Sequence, residues 1–142
     1  MYLISSCLVG INCKYNGSNT CNGKLHALML SGQAIPVCPE VLGGLPIPRE
    51  PCEIVGEKVV GKSGLDYTRQ FQDGANKALQ ICKALGLSIA ILQSRSPSCG
   101  YGKIYDGTFS GSFVEGNGIT ADLLSKNGIR VYNESKWDEI TK

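Results

Sequence analysis

Three of the seven cysteines in this chain stand where an apolar run gives way to a stiff or open turn. Cys7 follows "YLISS", Cys38 ends "AIPV" and precedes Pro39, and Cys99 sits between Pro97 and Gly100 in "SPSCG". Thiolates are natural ligands for soft metals and iron–sulfur clusters. Proline stiffens a loop, and glycine lets a bulky inorganic group approach the backbone. If Pro39 opens a helix, Cys38 stands near a helix N-terminus, which favours the thiolate. Three thiolates would satisfy three irons of a [4Fe-4S] cluster and leave the fourth open to a ligand. A structural zinc site normally takes a fourth protein ligand. His26 is the only histidine, so zinc would need it or a further cysteine. Plain packing stays open as well, because buried cysteine is a common small apolar filler.

The other cysteines divide by context. Cys82 lies on an apolar helical face and is expected in the core. Cys13, Cys21 and Cys52 fall in loops, where they are structural or incidental, or line the same site. An odd count argues against a disulfide scaffold. The start, "MYLISSCLVG", has no basic segment before its apolar run and reads as a buried strand, so a cytoplasmic location is expected. A formal charge of +2 without a Lys/Arg cluster argues against a dedicated nucleic-acid or membrane-surface binder. No apolar run is long enough to span a membrane.

The positioning elements follow from pattern. Residues 2–6 predict a first strand, and "AIPVC" a second. Leu25, Leu28 and Met29 show helical spacing after Asn22, a good N-cap, with a stop near Gly32. "GGLPIPREP" is turn-rich, and "EIVGEKVVGK" predicts a hairpin around Gly56-Glu57. Phe71, Ala75, Ala78, Leu79, Cys82 and Leu85 form the apolar face of the strongest helix, with Asp66 or Thr68 as cap and Gly86 as stop. "SIAILQ" predicts a central parallel strand. A long loop then leads to a helix from Thr120 to Lys126, a fourth strand "IRVY", and a last helical turn near Trp137. Residues 1–142 are expected to form a single domain. Its fold class is α/β: a three-layer, Rossmann-like arrangement with a mainly parallel sheet and a small β-hairpin insertion. In such a sheet the carboxyl ends of the strands share one edge, where ligand crevices form. Cys7, Cys38 and Cys99 would meet there.

Longer blocks carry a resemblance. "CLVG", "CKYNG", "PVCPEVLGGLPIPREPCEI", "RSPSCGYGKIYDGTFSG" and "GNGITADLLSKNGIRVYNE" together resemble the thiouracil desulfidase family, long listed only as a domain of unknown function. The resemblance runs from Met1 to about Glu134. It implies an oxygen-sensitive [4Fe-4S] cluster held by Cys7, Cys38 and Cys99, with one iron free. It also implies that this open iron takes the sulfur of a small thiolated base, 2- or 4-thiouracil or a relative. Water then replaces that sulfur without any electron source.

On that reading Glu40, Ser96 and Asp66 are the candidates for moving protons and activating water. Ser98, Tyr15 and Tyr105 are candidate substrate contacts, Ser98 alternatively as a donor to a cluster sulfide. Each has a plainer role open to it. Glu40 suits the first turn of a helix, Ser96 and Ser98 can cap a turn, Asp66 can cap a helix, and the tyrosines can pack a loop. Asp106 reads as a turn residue. The extra cysteines keep a second function in view, a non-catalytic iron–sulfur or zinc-thiolate module, with Cys13 as a possible fourth ligand.

Overall fold

Side chains on a strand alternate between the two faces of its sheet, and here both faces are buried. Leu3, Ala90 and Leu92 point one way, Ile4 and Ile91 the other, and all five have no exposed surface. The computed structural model describes residues 1–141. Four strands, β1 (Tyr2–Ser5), β2 (Ala34–Val37), β5 (Ile89–Leu92) and β8 (Arg130–Asn133), form one parallel sheet in the order β2-β1-β5-β8. Pro36, which has no N–H to give, lies in β2, at the edge of the sheet, where a ladder can spare a donor.

Helices cover both faces. On one, α3 (Thr68–Leu85) and α4 (Ile119–Lys126) pack Ala78, Cys82, Ala121 and Leu124 against Leu3, Val37, Ala90 and Leu92. On the other, α1 (Gly23–Leu30) brings Leu25 to Ile4, Ala34 and Ile91, joined by Trp137 and Ile140 of the terminal turn Trp137–Thr141. This is the expected three-layer α/β arrangement. Asn22 caps α1 as expected, its side chain accepting from the amides of Lys24 and Leu25. Gly86 closes α3 in the left-handed conformation at φ 66°.

Two hairpins lie outside the sheet. The expected one pairs β3 (Cys52–Val55) with β4 (Lys58–Gly61) and packs Val59 against Phe71 of α3. The other, β6 (Lys103–Tyr105) with β7 (Phe113–Glu115), falls in the stretch expected to be a long loop. Its strands are three residues each and β7 is exposed throughout, so no alternating pattern could announce it. Among the described residues no helix is long and apolar enough to cross a membrane.

The one-turn helix α2 (Pro39–Leu42) is too short to hold itself. It is held by two glycines where it crosses α3. A Cβ on Gly74 would sit 1.9 Å from the carbonyl oxygen of Pro39, and one on Gly43 1.9 Å from that of Gln70. Only hydrogen at both positions permits this approach, and the approach fixes where Cys38 enters α2.

Gly74→Ala is therefore expected to destabilise the protein by at least about 1–3 kcal/mol, as overpacking against backbone does. Gly23→Ala, with nothing within 4 Å of the added carbon, is expected to stabilise by about 0.5–1 kcal/mol. Urea unfolding of the two variants measures both, and equal effects would rule out this packing argument.

Candidate active site

In the order β2-β1-β5-β8 the chain leaves β1 toward β2 on one side and leaves β5 toward β8 on the other. The loops part between β1 and β5, and the crevice they leave is where open α/β sheets bind ligands. A cavity of about 610 Å³ occupies that place, and Cys7, Cys38 and Cys99 all line it.

A different local device holds each thiol. Cys7 lies in a 3-10 turn, Ser6–Val9, directly after β1. Its carbonyl accepts from the amide of Thr20, and its Sγ lies 3.5 Å from Gln93 Oε1. Cys38 precedes Pro39 at the mouth of α2. Cys99 sits in a loop bonded to the start of α4. The amides of Gly118, Ile119 and Thr120 donate to the carbonyls of Gly100, Pro97 and Ser98 at 2.7, 2.8 and 2.9 Å. Ser96 Oγ accepts from the amides of Ser98 and Cys99, both at 3.0 Å. A Cβ on Gly118 would lie 2.5 Å from the Ser98 carbonyl, so this contact also demands glycine.

The thiols are electrically unequal. A hydrogen bond from the Cys13 thiol, helped by the Val41 amide, outweighs burial and holds the Cys38 thiol down to about 7. Cys13 also lowers Cys7 against its burial, and its own proton, shared between Cys38 and Cys7, is held tightly. Burial pushes Cys99 up and Cys52 up to about 12. All seven cysteines are free thiols.

Glu40 also lines the cavity. Its Oε2 accepts from Arg49 Nη2 at 2.6 Å. Ser96, Tyr15 and Tyr105 are on the wall, Tyr105 with its ring 4.9 Å from that of Phe113.

The family model described as 2-thiouracil desulfurase matches residues 2–136. The chain belongs to the 2-thiouracil desulfurase family. A desulfurase is an enzyme. An uncharacterized protein of Bacillus subtilis (strain 168), YbbK, is 45% identical over 150 residues, covering 99% of each chain. Among solved structures, the [4Fe-4S]-dependent thiouracil desulfidase TudS superposes with a TM-score of 0.94. It is 44% identical, with 99% of this chain and 94% of that one covered.

Two candidates are not on the cavity wall. Asp66 is exposed and does not line the desulfurase cavity; its Oδ1 accepts the Thr68 amide at 2.8 Å, the capping role at the start of α3. Ser98 is buried to 1% exposure; its hydroxyl pairs with that of Thr120 of α4 at 2.9 Å and lies 4.0 Å from Cys99 Sγ.

The cavity wall also holds Cys13, which the sequence left open as structural or site-lining, and residues the sequence reading left out. Cys13, only 4% exposed, stands between Cys7 and Cys38. Gln93 follows β5 at the switch point, Phe109 comes from the β6–β7 connection, and Glu134 accepts from the Ser94 amide at 2.9 Å. The block "CKYNG", which opens on Cys13, was part of the family resemblance and the signal available for it. Glu53, 7% exposed, holds the connection that carries Phe109, accepting the Gly107 amide at 2.9 Å.

In metal-free desulfurase, alkylation of Cys38 by iodoacetamide is expected to rise with pH through about 7 and then level off, while buried Cys99 stays unreactive. Peptide mass spectrometry follows each site. A Cys38 rate still climbing through the ordinary thiol range near about 8.5 would contradict the hydrogen-bonded thiolate.

Proposed function

We propose that this enzyme replaces the sulfur of a thiolated pyrimidine, 2- or 4-thiouracil or a close relative, by oxygen from water. A [4Fe-4S] cluster on Cys7, Cys38 and Cys99 would serve it. The observation that carries this reading is the meeting of three strand-end thiols on one cavity wall, in a fold shared at 44% identity with a [4Fe-4S]-dependent thiouracil desulfidase. The donor set fits: soft thiols, free of disulfides, with two of them biased toward thiolate. Bound there, the cluster supplies a Lewis-acidic iron and a soft acceptor for sulfur.

The reaction balances without redox chemistry. A C–S bond breaks, a C–O bond forms, and the two hydrogens of water leave with the sulfur as hydrogen sulfide. The chain's own residues move those protons. Glu40 Oε1 has no hydrogen-bond partner among the described residues and is free to take a proton from water. Ser96 Oγ accepts two amides, which fixes its oxygen and leaves its proton to give. Tyr15 and Tyr105 offer walls for a flat ring.

A single-ion zinc site is the weaker alternative. Among the described residues no three His, Cys, Asp or Glu side chains are grouped closely enough to hold one ion, and zinc–sulfur bonds of about 2.3 Å require that.

Anaerobic reconstitution with iron and sulfide is expected to give about four irons per chain and to enable loss of the thiouracil absorption band with release of sulfide. Cys99→Ala is expected to abolish both. Glu40→Gln is expected to keep the iron and lower kcat by about 10²–10⁴-fold. Turnover that survives Cys99→Ala would overturn the reading, and metal without turnover on any thiolated pyrimidine would return the site to a non-catalytic module.

A further inference from the structure

Arg49 does not line the cavity, yet it is bonded to three residues that do, Glu40, Cys13 and Tyr15. It comes from the turn-rich segment between α2 and β3 and its side chain is 5% exposed. Four of its contacts are set by geometry. Nη2 donates to Glu40 Oε2 at 2.6 Å and to the Cys13 carbonyl at 2.9 Å. Nη1 donates to the Pro46 carbonyl at 3.1 Å. Its backbone amide donates to the Tyr15 carbonyl at 2.7 Å. One planar fork thus joins the α2 carboxylate to the loop carrying both Cys13 and Tyr15.

We infer that Arg49 is the positioning residue of the reaction, holding Glu40 by Oε2 so that Oε1 alone faces the cavity and the Tyr15 loop closes against it. The inference rests on the reading of Glu40 as the proton-moving group. Without a clamp, a glutamate at the start of a one-turn helix has free torsions and can turn either oxygen toward solvent. Arg49 removes that freedom. It does so with a guanidinium because the acceptors lie in different directions. A lysine ammonium is a compact point charge on a flexible stem, without the rigid multi-donor plane that this set of acceptors matches. The Tyr15 carbonyl is bonded by the backbone amide, so that tie survives substitution of the side chain.

The pair is sheltered on one side only, the Arg49 side chain 5% exposed and that of Glu40 19%. A buried ion pair is poor evidence for stability, since desolvation offsets most of its attraction. A half-buried pair on a cavity-lining residue, with one carboxylate oxygen lacking a hydrogen-bond partner among the described residues, is better understood as orientation. The misplacement of a reacting group by about 1 Å can cost roughly 10²-fold in rate.

The experiment uses the reconstituted enzyme with thiouracil as substrate. Arg49→Lys keeps the charge and is expected to lower kcat by roughly 10–10²-fold, with KM changed by less than about threefold and iron content and visible spectrum unchanged. The decisive measurement is the same change in a Glu40→Gln background. If Arg49 acts through Glu40, Arg49→Lys costs nothing further there, since effects of residues that act as a unit do not add. A wild-type kcat for Arg49→Lys overturns the inference, and so does an equal loss in both backgrounds. Should Arg49→Lys lose its iron, Glu40→Gln/Arg49→Met removes both charges together. Iron retained with the residual kcat of Glu40→Gln supports positioning, and a lower kcat overturns it. Full activity of Glu40→Gln alone is a separate result: it removes the role of Glu40 itself, and the inference with it.

Discussion

The first turn of a helix has amide groups with no partner inside the helix, and in this protein the start of α4 spends them on the loop that carries Cys99. Amides from Gly118 to Ala121 point at the carbonyls of Pro97, Ser98 and Gly100. The loop in return loses the freedom a glycine- and serine-rich turn would have. Cys99 therefore inherits the rigidity of a helix although it lies in no regular element. The Ser96 hydroxyl closes the same loop from inside by taking the amides of Ser98 and Cys99. This double bonding turns the Ser98 hydroxyl to Thr120 and leaves Ser96 on the cavity wall.

The other two thiols depend on equally local constraints. Cys38 is placed by α2, and α2 by the contact of Gly43 with Gly74, across which neither helix could carry a side chain. Cys7 is placed by a 3-10 turn whose residues are all buried beneath α1. The parallel sheet aligns the three elements, since β1, β2 and β5 are adjacent and point the same way. Rigid elements deliver the sulfurs to one edge, and each loop needs only a turn's length to finish the job.

Much of this was legible in the sequence because the informative signals are local. Buried parallel strands read as unbroken apolar runs, Asn22 and Gly86 mark helix ends by side-chain chemistry, and the strand-end rule brings Cys7, Cys38 and Cys99 together. What could not be read depends on contacts between distant residues. Nothing in "DGAN" announces that Gly74 meets Pro39, and nothing in "PREP" announces that Arg49 turns to Glu40. Cys13 looked like a loop cysteine because loops carry no periodicity, yet the loop folds inward and buries it. Asp66 misled for the opposite reason: a carboxylate before a helix suits both capping and catalysis, and only its distance from the cavity separates the two.

Cys13 also bears on how the site is prepared. Ligand thiols must lose their protons before they bind metal, and burial opposes that loss. The Cys13 thiol works against burial at both Cys7 and Cys38, helped by Thr20 and Lys14 at the first and by the Val41 amide and Arg49 at the second. Cys99 has no such donor; burial dominates there, with only the Ser5 hydroxyl acting against it. The thiols that follow β1 and β2 are thus biased toward the thiolate, whereas burial favours the protonated thiol at Cys99. The sheet edge brings the three sulfurs to one cavity, and their different surroundings there make them electrically unequal.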